Sequence, residues 1–209
     1  MEPFTVVTGI AAPMMMPDIN TDAITPMAAG RSTSADLGKL LFANWRYTLD
    51  GAEIPEFILN RPPFRHSKIL VAGANFGCGS SRERAVWALM RFGIRCVIAP
   101  SFADIFRDNS YQNGLLPVVI GADDCAALGA ALEHAGEYAS EPQITVDLQR
   151  CVVQGLDGGE ISFTVPAERR AALLAGLDEI DVILGMEAEI ENFQRSDRDR
   201  RPWIYLDRP

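Results

Sequence analysis

The chain is poor in the residues that build metal centres and covalent cross-links. It has two histidines, His66 and His134, and four cysteines, Cys78, Cys96, Cys125 and Cys151, which stand 18, 29 and 26 residues apart with no Cys-x-x-Cys pair. Zinc and iron–sulfur sites usually declare themselves by short ligand spacings, so no metal centre built by this chain alone is expected. Four cysteines in 209 residues are too sparse for a disulfide framework, and Cys96, inside an apolar run, reads as a buried free thiol. No window reaches the roughly 18 uninterrupted apolar residues of a membrane span. Met1 to Thr8 lacks the basic start and apolar run of a secretory signal, so a cytoplasmic chain with no membrane partner is expected. Basic charge is scarce too: 19 Lys and Arg against 28 Asp and Glu leave a net charge of −9. That balance argues against a nucleic-acid partner, because phosphate binding relies on a basic surface.

What is present suits a packed enzyme-sized core. Apolar residues make up 48% and charged residues 22%, close to an average globular chain, and the length fits one large domain. The charge is uneven. Arg61 to Arg107 carries eight Lys or Arg against two acids, Glu83 and Asp104, whereas Ala122 to Gln194 carries three against fifteen. A locally positive region in an acidic protein suits a small anionic ligand, although ordinary scatter explains the same counts.

Phe4 to Ala11 reads as a short strand, and Pro13 and Pro17 break regular structure beyond it. Asp18, Asn20, Thr21 and Asp22 offer side-chain acceptors for turns and caps, and Met27 to Gly38, rich in small residues, reads as a surface loop. Lys68 to Gly73 is a compact apolar strand, Asn75 to Gly79 a glycine-rich turn, and Ser80 to Phe92 an amphipathic helix with Val86, Leu89 and Met90 on one face, stopped by Gly93. Arg95 to Ala99 closes a strand–loop–helix–strand unit whose natural pairing is parallel. The pattern recurs, with Ser101 capping a helix to Asn113 and a strand over Leu116 to Ile120. A helix over Ala122 to His134, short strands at 144–148, 151–154 and 161–165, and helices at 167–177 and 178–193 complete the body. Composition changes at 195, which divides the chain into a domain over 1–194 and a C-terminal tail over 195–209, loose or docked on a neighbour.

The chemistry concentrates in Asn75-Phe-Gly-Cys-Gly-Ser-Ser-Arg82. Glycines that open directly into a helix gather unpaired N–H groups and the positive end of the helix dipole, which favours anions. Two hydroxyls and the fork of Arg82 add carboxylate recognition. A phosphate-binding P-loop is excluded by the missing Lys, and a dinucleotide fingerprint by Arg82 in the place of the third glycine. Other readings remain open: Ser80 and Glu83 fit a capping box, Asp22 fits a simple turn, Arg82 fits a solvated surface, and Cys78 fits either a nucleophile or a small buried residue.

Five ordered blocks, Asn20 to Pro26, Leu41 to Arg46, Phe57 to Asn60, Asn75 to Glu83 and Ala99 to Phe106, resemble the small subunit of 3-isopropylmalate dehydratase, a relative of the aconitase swivel domain. The resemblance implies an α/β fold, a swivelling β/β/α domain, which closes over a large subunit carrying a [4Fe-4S] cluster, so that this chain binds no cofactor itself. It implies a hydro-lyase subunit, active only with that partner, that moves a hydroxyl between adjacent carbons of an isopropylmalate, a small dicarboxylate, in leucine biosynthesis. By the same resemblance Ser80 is the catalytic base, Ser81, Arg82 and Gly79 contact the substrate, and Asp22 orients Arg82 or a substrate hydroxyl. Arg31 is the one arginine in the loop that discriminates substrates. Two departures stand out: Arg84 replaces the histidine usual after Arg-Glu, and Ser34 stands where relatives tend to carry arginine. A hydro-lyase for a methyl-substituted malate, citraconate or homoaconitate-type acid, or a non-catalytic carboxylate-binding module, would use the same loop.

Overall fold

The computed structural model describes residues 1–26, 37–137 and 141–205. Arg31 and Ser34 lie outside the described residues. The strands are β1 (Val6–Met14), β2 (Ile69–Ala72), β3 (Cys96–Ala99), β4 (Leu116–Val119), β5 (Gln143–Asp147), β6 (Val152–Gln154) and β7 (Glu160–Ser162). The helices are α1 (Thr21–Ile24), α2 (Leu37–Leu40), α3 (Ala43–Arg46), α4 (Glu83–Phe92), α5 (Asp104–Asn113), α6 (Ala122–Glu137), α7 (Ala167–Ala175), α8 (Glu179–Leu184) and α9 (Glu187–Arg200).

The seven strands among the described residues join one sheet in the order β4-β3-β2-β1-β5-β6-β7. The strand–loop–helix units make the parallel half, β1 to β4, and the C-terminal strands make an antiparallel meander. β1 serves both: Val6 to Ile10 pair antiparallel with β5, and Ala11 to Met14 pair parallel with β2. The apolar runs of β2 and β3 do not alternate because both faces are covered. Leu70, Ala72, Val97 and Ala99 pack with α4 and Phe42, Leu59 and Phe64 on one face. Ile69, Val71, Cys96 and Ile98 pack with Cys125, Leu128 and Leu132 of α6 and with Ile144 and Val146 on the other.

Several local expectations are corrected. β1 runs through Pro13 instead of ending before it. The Ala11 N–H points to the β5 side and donates to Pro142 O at 3.0 Å. Two residues on, the Pro13 nitrogen faces the same side just past the end of β5, where no ladder bond is lost. The expected helix over 178–193 is two, α8 and α9, separated at Gly185 and Met186, with Asp178 and Asp181 forming a capping box at the start of α8. α9 runs without a break through residue 195, where the composition changes. Beyond it, the Tyr205 hydroxyl donates back to Asp197 Oδ2 at 2.9 Å, which folds residues 201–205 against the end of α9. Ile183, Met186, Ile190, Phe193 and Trp203 are exposed on this segment. No helix among the described residues is long and apolar enough to cross a membrane.

Two of the five sequence blocks prove to be architectural. Arg46 and Asn60 are both buried. Arg46 Nε donates to Asn60 Oδ1 at 3.1 Å and its Nη1 to Gly38 O at 3.1 Å, while Asn60 Nδ2 donates to the carbonyls of Arg46 and Ile54 at 2.7 and 2.9 Å. Burial holds the Arg46 guanidinium below its ordinary pKa, and its charge persists because acceptors surround it and it lies over the Phe92 ring.

Candidate functional site

The site forms where β1 and β2, neighbouring parallel strands, release their chains at the same edge of the sheet. β1 leads into Asp18 to Asp22 and α1; β2 leads into the loop 75–82. These two segments are stitched together. Asp18 N donates to Ala74 O at 2.9 Å, Gly77 N to Ile19 O at 2.7 Å and Thr21 N to Cys78 O at 2.8 Å. Asn75 Nδ2 reaches Asp18 Oδ1 at 2.7 Å. α1, only one turn long, is capped by Asn20, whose Oδ1 accepts the Ala23 N–H at 2.8 Å.

On its other flank the loop is pinned by aromatic packing. The rings of Phe76 and Phe106 meet edge to face at 5.3 Å, and Phe102 stacks on Phe106. Gly77 is required twice, by its φ of +77° and because a Cβ there would sit 2.2 Å from Phe106 Cγ. The expected helix cap at Ser101 is absent: Ala103 is the N-cap of α5 and makes no side-chain cap. The Ser101 Oγ instead accepts the Asn75 N–H at 2.8 Å, so the long-range contact to the loop has taken the local cap's hydroxyl.

The capping-box reading of Ser80 and Glu83 is likewise not realised. α4 starts at Glu83, three residues after Ser80, with Arg82 as an N-cap that makes no side-chain bond. The Ser80 N–H donates to Thr21 Oγ1 at 3.1 Å, and no side-chain hydrogen bond joins Ser80 or Ser81 to another described residue. Both serines are exposed, as is Gly79, whose φ of +99° turns the chain immediately before them. Arg82 aims at the same space: its Nη1 forms an ion pair with Asp22 Oδ1. Ser80, Ser81, Arg82, Gly79 and Asp22 are therefore brought to one open edge, whereas Arg31 lies outside the described residues. Sequence reasoning passed over the hydroxyl of Thr21 and that of Ser101 as parts of this site, since each was visible only as a turn or cap former. The even two-residue spacing of Cys78 and Ser80 opposite Thr21 becomes informative once the strands are paired.

Cys78 stands beside Ser80 with its Sγ 3.5 Å from Asp18 O, and His66 and His134 lie in other elements. Burial pushes the Cys96 thiol up strongly and the Cys125 thiol up to about 11. No three His, Cys, Asp or Glu side chains among the described residues converge on one point. The described residues offer no thiolate set of the kind that holds an iron–sulfur cluster.

Comparison with known proteins agrees with this geometry. Residues 1–123 match the aconitase C-terminal domain family. The chain is 50% identical to a 3-isopropylmalate dehydratase small subunit from Paramagnetospirillum magneticum over 205 residues, covering 98% of this chain and 100% of that one. It is 49% identical to the protein of the same name from Rhodospirillum rubrum, covering 98% and 97%. The crystal structure of 3-isopropylmalate dehydratase from Methanocaldococcus jannaschii superposes with a TM-score of 0.62 at 26% identity, covering 90% of this chain and 98% of that one.

Proposed function

Because the chain belongs to the family of 3-isopropylmalate dehydratase small subunits, the hydro-lyase subunits of that enzyme, we propose that its 75–82 loop supplies the base and the carboxylate contacts for the dehydration and rehydration that interconvert 2- and 3-isopropylmalate. The observation that carries the reading is the exposed Ser80, whose side chain bonds to no other described residue, beside an Arg82 whose guanidinium pairs with Asp22. Arg82, with Ser81 and the backbone at Gly79, receives a carboxylate of the diacid. Ser80 Oγ takes the proton from the carbon next to that carboxylate as the hydroxyl on the adjacent carbon departs, the Lewis acid that would draw off the hydroxide being the large subunit's. Re-addition in the opposite sense puts the proton on the carbon that lost the hydroxyl and the hydroxyl on the carbon that lost the proton.

A serine oxygen is a weak base at neutral pH, so its negative charge has to be stabilised locally. Two sources lie close in sequence: the Arg82 guanidinium and the N-terminus of α4, which begins at Glu83 and carries the dipole's positive end. Ser80's own N–H is already committed to Thr21. Arg31 is the further guanidinium assigned to substrate discrimination. The iron–sulfur cluster of the family, for which the described residues offer no ligand group, belongs to a large subunit, and the domain over 1–194 acts by closing on that partner in the cytoplasm.

The test reconstitutes the chain with its cluster-loaded large subunit and follows alkene-diacid formation. Ser80→Ala should abolish turnover while leaving the melting temperature of the small subunit nearly unchanged, since Ser80 caps nothing. Retained turnover in that variant would overturn the assignment of the base.

A further inference from the structure

We propose that Thr21 is the positioning residue for Ser80: its buried hydroxyl holds the backbone of residue 80 and thereby sets where the Ser80 hydroxyl stands. The inference rests on the reading of Ser80 as the base. With no side-chain hydrogen bond of its own to a described residue, Ser80 takes its place from its main chain. That main chain is turned by Gly79, at a φ of +99°, and tied at one long-range point, the 3.1 Å bond from its N–H to Thr21 Oγ1. Its carbonyl accepts the Arg82 N–H at 2.7 Å, which closes a local turn and adds no outside anchor.

Thr21 is suited to the task because it is buried and its main chain is bonded on both sides. It is 1% exposed. Its N–H donates to Cys78 O at 2.8 Å, and its carbonyl accepts the Thr25 N–H at 3.0 Å. The loop runs close against it: a Cβ at Gly79 would lie 3.3 Å from Thr21 Oγ1. The neighbouring Asp22 holds Arg82, so consecutive residues of α1 fix the base through its backbone and the carboxylate-binding guanidinium through its side chain. The division predicts that losing the Thr21 oxygen harms the proton-transfer step more than substrate binding.

Valine matches threonine in shape and lacks the acceptor; serine keeps it. Thr21→Val, reconstituted with the large subunit, should lose roughly 10- to 100-fold in kcat, the scale of a misplaced catalytic group, with KM changed by less than about threefold. Thr21→Ser should stay within about threefold of the wild type in both. Hydrogen exchange of the isolated chain gives a readout free of the partner: the Ser80 amide should exchange slowly in the wild type and in Thr21→Ser, and fast in Thr21→Val. A Thr21→Val chain with wild-type kcat, a Thr21→Ser chain as impaired as Thr21→Val, or an unprotected Ser80 amide in the wild type would each overturn the proposal. If Thr21→Val does not fold, the wild-type and Thr21→Ser exchange data decide it. Full turnover in Ser80→Ala would remove the base reading alone, because the exchange experiment still reports on the Thr21–Ser80 contact.

Discussion

Asn60 shows how one side chain carries a segment's architecture. Its amide satisfies the buried Arg46 guanidinium and two main-chain carbonyls. Asn60→Ala leaves those groups short of partners away from water and should destabilise the chain by roughly 2–4 kcal/mol, measured by chemical denaturation. The loss should appear without any change in the loop that holds Ser80, since Asn60 makes none of the loop's contacts. Arg46 and Asn60 were visible in the sequence only as members of recognisable blocks. A buried Arg is rare, and three-dimensional neighbours, which linear spacing does not encode, decide which block residues line a site and which brace the core.

Among the elements, those with strong apolar periodicity or uninterrupted apolar runs were the most legible. β2, α4 and β3 lie within a few residues of their expected limits, because burial on both faces of the sheet and on one face of the helix writes itself into the chain. Three of the misreadings are local rules overridden from afar. Pro13 stays in β1 because β5 stops short of it; Ser101 gives its hydroxyl to Asn75; the Ser80 N–H goes to Thr21. The anion-binding reading of the loop was legible from its residue types and a catalytic role only from the family resemblance, while its backing by α1 was not legible at all.

The end of α9 offers a pH test on its own scale. Arg201's hydrogen bond first, and then that of the Tyr205 hydroxyl, hold the Asp197 carboxyl below the usual carboxylate range despite opposing desolvation. A depressed folded-state pKa means that the contact contributes fully above the ordinary Asp value of about 3.9 and is lost as pH falls through the lower folded value. Tyr205 ring resonances should therefore stay in their neutral-pH positions to below pH ~4 and shift only in stronger acid. In Asp197→Asn that acid transition should vanish.

For the molecule as a whole, one sheet with an apolar core on each face makes the cysteines reporters of global opening. Cys96 and Cys125 are buried in the core that β2 and β3 share with α6, whereas Cys78 and Cys151 are partly exposed. Iodoacetamide at pH 8 should label Cys78 and Cys151 in the native chain and reach Cys96 and Cys125 only at the rate of unfolding, as peptide mass spectrometry would show. Early labelling of Cys96 would mean that the two cores open separately.

The shared origin of the site's two walls also decides how such an enzyme can breathe. Asp18 to Asp22 and residues 75–82 grow from adjacent strands and are laced together along their length, so admitting or releasing a diacid by parting them would tear the rim of the sheet itself. Under the proposed function, opening for substrate then falls between this chain and its large subunit, and the two laced segments move together.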